Sequence, residues 1–161
     1  YKKGLRLVTV NTIRGPENVQ NPQINSLSKL NCILASIEAN KLGYDEGIMN
    51  DINGNISTCN STNLFFIQNH KVLTSTGQYC LNGITRSKAI TICKNNKIDY
   101  SEKNFTFDDI VNCDEAFVTG TFAGIIPVAE LEGKKLKSTN INSLANKIHS
   151  LYKKEIQNYI G

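Results

Sequence analysis

Nowhere in the chain does an apolar run approach the roughly 20 residues that a membrane-spanning helix needs, and the opening residues are not expected to act as a signal peptide. The five cysteines, Cys32, Cys59, Cys80, Cys93 and Cys113, include no Cys-x-x-Cys pair. An odd number without that spacing argues against a disulfide framework and a zinc site, and for free, mostly buried thiols in a reducing cytoplasm. Basic clusters are scarce: the net charge is +4, and "KNNK" and "EGKKLKS" are the two concentrations of it. Both read as solvated turns, so nucleic acid is not an expected partner. No internal repeat, low-complexity tract, metal-ligand set or Ser-His-Asp set is visible.

What remains is an ordinary globular composition. Hydrophobic residues make up 40% of the 161 positions and charged residues 20%. The length suits one domain over residues 1–161, large enough to bury well over half of its unfolded surface. Residues 1–24 read as an opening strand and loop: "LRLVTVNT" (5–12) is rich in β-branched residues, and Pro16 and Pro22 punctuate the loop. From Ser26, taken as an N-cap, apolar residues recur at Leu27, Leu30, Ile33, Leu34 and Ile37, the spacing of a helix that Gly43 ends. Asn53-Gly54 marks a hairpin, and "QNHK" between "NLFFI" and "VLTS" a second.

"GITRSKAITICKNN" reads as a turn entering a short helix through Thr85, "IDYSEKN" as a strand, and "TFDDIVN" as a short helix capped by Thr106. "EAFVTG" and "GIIPVAEL" are two further strands. A last helix carries Leu144, Ala145, Ile148, Leu151, Tyr152, Ile156 and Tyr159 on one face, with His149 on its polar side. The predicted class is mixed α/β (α+β), a mostly antiparallel sheet with packed helices.

Five blocks in order carry a resemblance: "SLSKLNCILASIEANKLGYDEGI", "DINGNISTCNSTNLFFI", "LNGITRSKAI", "DEAFVTGTFAGIIPV" and "ELEGKKL". Together they resemble the large C-terminal domain of the class IV (fold-type IV) pyridoxal-phosphate enzymes. These include branched-chain and D-amino-acid aminotransferases and aminodeoxychorismate lyase. The resemblance implies a D-amino-acid aminotransferase-like fold, a cytoplasmic homodimer, and transfer of an amino group between an amino acid and a keto acid. On this resemblance, residues 1–161 are expected to be the large domain alone, without the family's small N-terminal domain.

The resemblance also implies site residues. Leu81 would lie against the cofactor ring, while Gly83, Ile84 and Thr85 would cradle its phosphate at a helix start, where free amides and the dipole favour an anion. Gly120 and Thr121 would add a second phosphate contact, and the amides of Phe122 and Ala123 would face the substrate carboxylate. Two positions depart from the family. Ile24-Asn25-Ser26-Leu27 matches its Ile-Lys-Ser-Leu pattern, which puts Asn25 where the Schiff-base lysine belongs. An amide is neither a nucleophilic amine nor a base near neutral pH. Thr58 stands where the family has a glutamate that keeps the pyridine nitrogen protonated, and a hydroxyl supplies no counter-charge. Impaired transamination is therefore expected, with pyridoxal phosphate bound non-covalently or absent. The alternatives are a silent phosphate-binding or dimerising scaffold, or a lyase-like enzyme. Lys29, about one turn beyond Asn25, reads as a solvent-facing helix charge rather than a replacement amine. No metal is implied.

Overall fold

The computed structural model describes residues 3–160, and the side chains of residues 3–158. Strand β1 spans Leu5–Thr9. It stops short of the expected Thr12 because the chain turns to meet helix α1 (Leu30–Lys41). There the Asn11 amide donates to the Glu38 carboxylate at 2.7 Å and the Thr12 amide at 3.3 Å. Both hairpins form as their turns predict. Strands β2 (Glu46–Asn50) and β3 (Ile56–Cys59) flank Gly54, whose φ of +81° suits glycine, and Asp51 Oδ1 accepts from the amides of Asn53 and Asn55 at 2.8 and 2.9 Å. Strands β4 (Asn63–Gln68) and β5 (Lys71–Thr74) flank Asn69 and His70, both at positive φ.

Helix α2 (Ile84–Asn95), strand β6 (Tyr100–Glu102) and the short helix α3 (Phe107–Ile110) come next. The Thr106 cap is reciprocal, with Asp109 Oδ2 accepting from the Thr106 amide at 2.8 Å. Strands β7 (Glu115–Gly120), β8 (Gly124–Leu131) and β9 (Lys134–Lys135), then helix α4 (Leu144–Ile160), complete the chain. The strand order is β3-β2-β1-β8-β7-β4-β5-β6, with β9 on β8. Strand β1 pairs in parallel with β2 and β8, and β5 with β6; the other pairings are antiparallel, as expected. The sheet curls, so that edge strand β3 comes back to the start of β4 through a three-residue turn, 60–62.

Alternation along the strands builds the core on both sheet faces. Leu64 and Phe66 of β4 point inside the curl with Val118 of β7, Ile126, Ile48 and Leu7. Phe65 and Ile67 point outward, where α2 and α4 cover them. On that outer face Phe65 and Phe117 stack at 4.7 Å between ring centroids. Helix α4 buries Ala145 and Ile148 there, with Leu144, Leu151 and Tyr152 packed around them. The Glu115 carboxylate caps it, accepting from the amides of Leu144 and Ala145 at 3.2 and 2.8 Å. The Tyr159 side chain lies outside the described residues. His149 does not sit on the polar side; its Nδ1 meets the Ile125 carbonyl at 2.6 Å. Four of the cysteines are buried and Cys32 is half-buried, all as free thiols.

Helix α1 corrects the sequence reading twice. It begins at Leu30, not at Ser26, and the 26–29 segment is irregular, with Leu27 fully exposed. The buried face is Ala35 and Ala39 against Val8, Val10 and Met49, while Leu30, Ile33, Leu34 and Ile37 are each 46–65% exposed. Close packing explains the inversion. A Cβ on Gly47 of β2 would stand 2.9 Å from the Ala35 carbonyl and 2.7 Å from Val10. The helix backbone therefore rests almost on the sheet, and the contact face must be small.

Glu38 gives this docking a pH signature. The Asn11 amide holds its carboxyl below the usual range; partial burial opposes this, and Thr12 and the Asn11 side chain assist it. A depressed carboxyl contributes stability above its unfolded pKa and loses it as pH falls through the folded pKa. Glu38→Gln should therefore cost about 1 kcal/mol near neutrality, the low end for a charged acceptor so close to water. In acid, where the wild-type carboxyl is also neutral, the denaturant midpoints of the two proteins should converge.

Candidate functional site

One cavity of about 530 Å³ opens where four segments converge. They are the opening loop with the start of α1 (Arg14, Asn25, Lys29), the β3–β4 turn (Thr58 to Asn63), the loop before α2 (Leu81), and the β7–β8 turn (Thr121 and Phe122). Arg14 fixes the first of these. Its Nε donates to the Tyr79 carbonyl at 3.2 Å, one Nη to the Cys32 thiol at 3.2 Å, and the other to the Pro22 carbonyl at 3.4 Å. One guanidinium thus pins the loop that carries Asn25 to α1 and to the segment ahead of α2.

The β3–β4 turn is held more tightly. The Thr58 hydroxyl and the Cys59 amide both donate to the Thr62 carbonyl, at 2.7 and 2.9 Å. The Glu46 carboxyl of β2 accepts from the Ser61 and Thr62 hydroxyls, each at 2.7 Å. Asn60 and Gly47 exchange a further pair, amide to side-chain oxygen at 2.7 Å and amide to carbonyl at 3.0 Å. Burial raises the Glu46 carboxyl, against the pull of the two hydroxyls. Burial, and after it the Glu46 charge, pushes the Cys59 thiol well above its usual range, so this pocket-lining thiol is no nucleophile.

Asn63, at the head of β4, links this turn to the third segment. Its Nδ2 donates to the Leu81 carbonyl at 2.9 Å and lies 3.4 Å from the Cys80 sulfur. A Cβ on Gly83 would come within 2.7 Å of the Asn63 side-chain oxygen. The close approach at Gly83 is thus to Asn63. Gly83 is also the N-cap of α2, so the helix begins at Ile84, one residue ahead of the expected Thr85. The Ser87 amide gives the first helical hydrogen bond, to the Gly83 carbonyl at 3.0 Å, which leaves the amides of Ile84, Thr85 and Arg86 in the turn before it. Arg86 is buried beside them, its Nη2 on the Ser75 carbonyl and on Glu102, each at 2.7 Å, and its Nε without a partner among the described atoms.

Of the residues named from sequence, Asn25, Thr58, Leu81, Thr121 and Phe122 line the cavity together. Gly83, Ile84, Thr85, Gly120 and Ala123 stand next to them in sequence and are not on the wall. Thr85 is buried, the Ile84 side chain is exposed, and Ala123 packs on the core inside the curl. A Cβ on Gly120 would meet the Thr62 methyl at 3.2 Å, which brings the end of β7 against the β3–β4 turn. Phe122 is wholly exposed at the mouth.

Lys29 is exposed, as expected of a solvent-facing charge, but it does not lie on the helix. It precedes α1, lines the cavity, and its Nζ donates to Asn25 Oδ1 at 3.0 Å. Sequence reasoning also passed over Arg14 and Glu46. A lone arginine in a loop and a glutamate opening a buried strand "EGIM" were the only signals. Among the described residues no group of His, Cys, Asp and Glu could hold a metal, and no helix is long and apolar enough to cross a membrane.

Residues 1–131 match the family described as amino-transferase class IV. A putative branched-chain-amino-acid aminotransferase of Methanocaldococcus jannaschii is 35% identical over 93% of this chain and 52% of its own length. Branched-chain-amino-acid aminotransferase-like protein 2 of Arabidopsis thaliana is 32% identical over 94% of this chain and 27% of its own. The chain thus spans about half, or less, of the curated relatives it matches. Among solved structures, the branched-chain aminotransferase of Thermoproteus uzoniensis with norvaline superposes with a TM-score of 0.87. It is 30% identical, over 94% of this chain and 50% of that one. The branched-chain amino acid aminotransferase of Thermobaculum terrenum in its PLP form gives 0.89 at 25% identity, covering 95% and 51%.

Proposed function

The chain belongs to the class IV aminotransferase family, and from that premise we propose that its cavity binds pyridoxal phosphate while residue 25 supplies no amine for amino transfer. The observation that carries this reading is the convergence of Asn25, Thr58, Leu81 and Thr121, from four separate segments, on one cavity. The residues present fit the group. The first turn of α2 offers amides of Ile84 and Thr85 that precede the first helical bond, and Thr85 and Thr121 bring hydroxyl donors. Leu81 gives an apolar wall for a ring. Arg86 adds a cation to that turn, partly balanced by Glu102.

Pyridoxal phosphate, when bound, supplies an aldehyde carbon that takes an amino group and a ring that draws electrons from it. The chain's own contribution is binding and orientation. The Thr58 hydroxyl donates its hydrogen bond to the Thr62 carbonyl, so toward the cavity its oxygen offers lone pairs and no charge. The Asn25 amide neither attacks carbon nor takes up a proton as a base near neutral pH. Amino transfer between an amino acid and a keto acid, the family's default, is accordingly impaired here. The exposed stripe of Leu27, Leu30, Leu34 and Ile37 supports a homodimer, since solvent-facing apolar residues clustered in this way favour burial against a partner.

Two measurements check the reading. Calorimetric titration of inorganic phosphate should show binding to the wild type, weakened about tenfold or more in Thr85→Ala plus Thr121→Ala by loss of two hydroxyl bonds to a charged group. Equal affinities would mean that the two segments are only turns. Sedimentation should give a dimer that Leu30→Glu plus Leu34→Glu converts to monomer; a monomeric wild type would rule the dimer out.

A further inference from the structure

The amine missing at residue 25 has a neighbour within hydrogen-bond reach. Lys29 is the one lysine among the described residues that line the cavity. Its Nζ lies 3.0 Å from Asn25 Oδ1, so the ammonium stands against the end of the side chain at position 25. Two structural facts bring it there. The 26–29 segment is irregular, and Lys29 is the residue before α1, with φ −109° and ψ 14°, so its direction is not fixed by a helix surface. The three carbonyl and thiol contacts of Arg14 hold the loop carrying Asn25 against α1, which keeps both residues at one corner of the cavity.

The surroundings leave this amine available. No aspartate or glutamate is among the described residues lining the cavity, and no ion pair involving Lys29 is found among them. Its partner is a neutral amide oxygen, which orients an N–H without neutralising the charge. The other cation on the wall, Arg14, is tied to its three acceptors. Cys59 is silenced by burial.

We propose that Lys29 is the amine that joins covalently to the aldehyde of pyridoxal phosphate in this cavity, with Asn25 as its positioning residue. The proposal rests on the cavity being a pyridoxal-phosphate site. The step balances without a further reagent. The Nζ lone pair, after loss of one proton, bonds to the aldehyde carbon. The carbonyl oxygen departs as water with two protons, and a carbon–nitrogen double bond remains. Nothing is oxidised or reduced. Asn25 accepts one Nζ proton in a hydrogen bond as the amine approaches and thereby aims the nitrogen's remaining face at the cavity.

The experiment treats the 161-residue chain with an equimolar amount of pyridoxal phosphate, reduces it with borohydride, which delivers hydride to the carbon–nitrogen bond, and maps the phosphopyridoxyl group by peptide mass spectrometry. An aldehyde held in the cavity meets Lys29 at millimolar or higher effective concentration. Lys29 should therefore be labelled on the order of tenfold more than any surface lysine. The label should vanish in Lys29→Gln and Lys29→Arg, and fall in Asn25→Ala. In parallel, calorimetry with 4-deoxypyridoxine phosphate, which has the ring and phosphate but no aldehyde, should show binding to wild type and to Lys29→Gln alike. An excess of that analogue should protect Lys29. If the analogue binds but the label is spread evenly over surface lysines, the role of Lys29 is overturned and the binding reading stands. If the analogue does not bind, or does not protect, the cavity is not the cofactor site and the proposal falls with that reading.

Discussion

The buried carboxyl of Glu46, gripped by the hydroxyls of Ser61 and Thr62, is the contact on which the rest of the site depends. With the Asn60–Gly47 pair beside it, it fastens the three residues between β3 and β4 to β2. Thr58 and Asn63 occupy the two ends of that turn. Thr58 faces the cavity because its hydroxyl closes onto Thr62, and Asn63 reaches from the other end to the Leu81 carbonyl. Through Asn63 the turn sets the position of Gly83, and with it the start of α2. A carboxyl raised by burial and satisfied by two hydroxyls is a costly but geometrically demanding anchor. Loss of either hydroxyl would leave a buried acceptor short of a partner and loosen both the floor of the cavity and the helix start beside it.

Much of the fold is legible in local chemistry. Asn53-Gly54 supplies the positive φ that its turn requires, and "NLFFI" alternates between two buried faces just as a strand covered on both sides must. Asp109 and Thr106 announce their own cap. Illegible features depend on what lies across the packing interface. The leucines and isoleucines of α1 carry a helical period and still face outward, because Gly47 brings the sheet so near that only Ala35 and Ala39 fit beneath. Ser26 has the chemistry of a cap, yet the chain stays irregular through Lys29. His149 looks polar on a helical wheel and is drawn inward by one carbonyl.

The same division holds for the site. Ordered blocks led to Asn25, Thr58, Leu81 and Thr121, and the fold gathers all four on one wall. Arg14 and Glu46 escaped because neither touches its partners within a short stretch of sequence; their hydrogen bonds span 8 to 65 residues in one case and 15 or 16 in the other. Lys29 faces solvent as its spacing implies, but the later helix start at Leu30 takes it off the helix surface, and its Nζ reaches Asn25 from there. On the proposed reading, the pocket keeps its apolar wall and its helix start and takes its amine from a different residue.

A crystal structure of the chain soaked with pyridoxal phosphate tests that picture most directly. The phosphate should lie at the first turn of α2 beside Thr121, with the ring against Leu81 and continuous density from the former aldehyde carbon to Lys29 Nζ. Density for the phosphate elsewhere, or a ring in this cavity with its aldehyde joined to no residue, would contradict it.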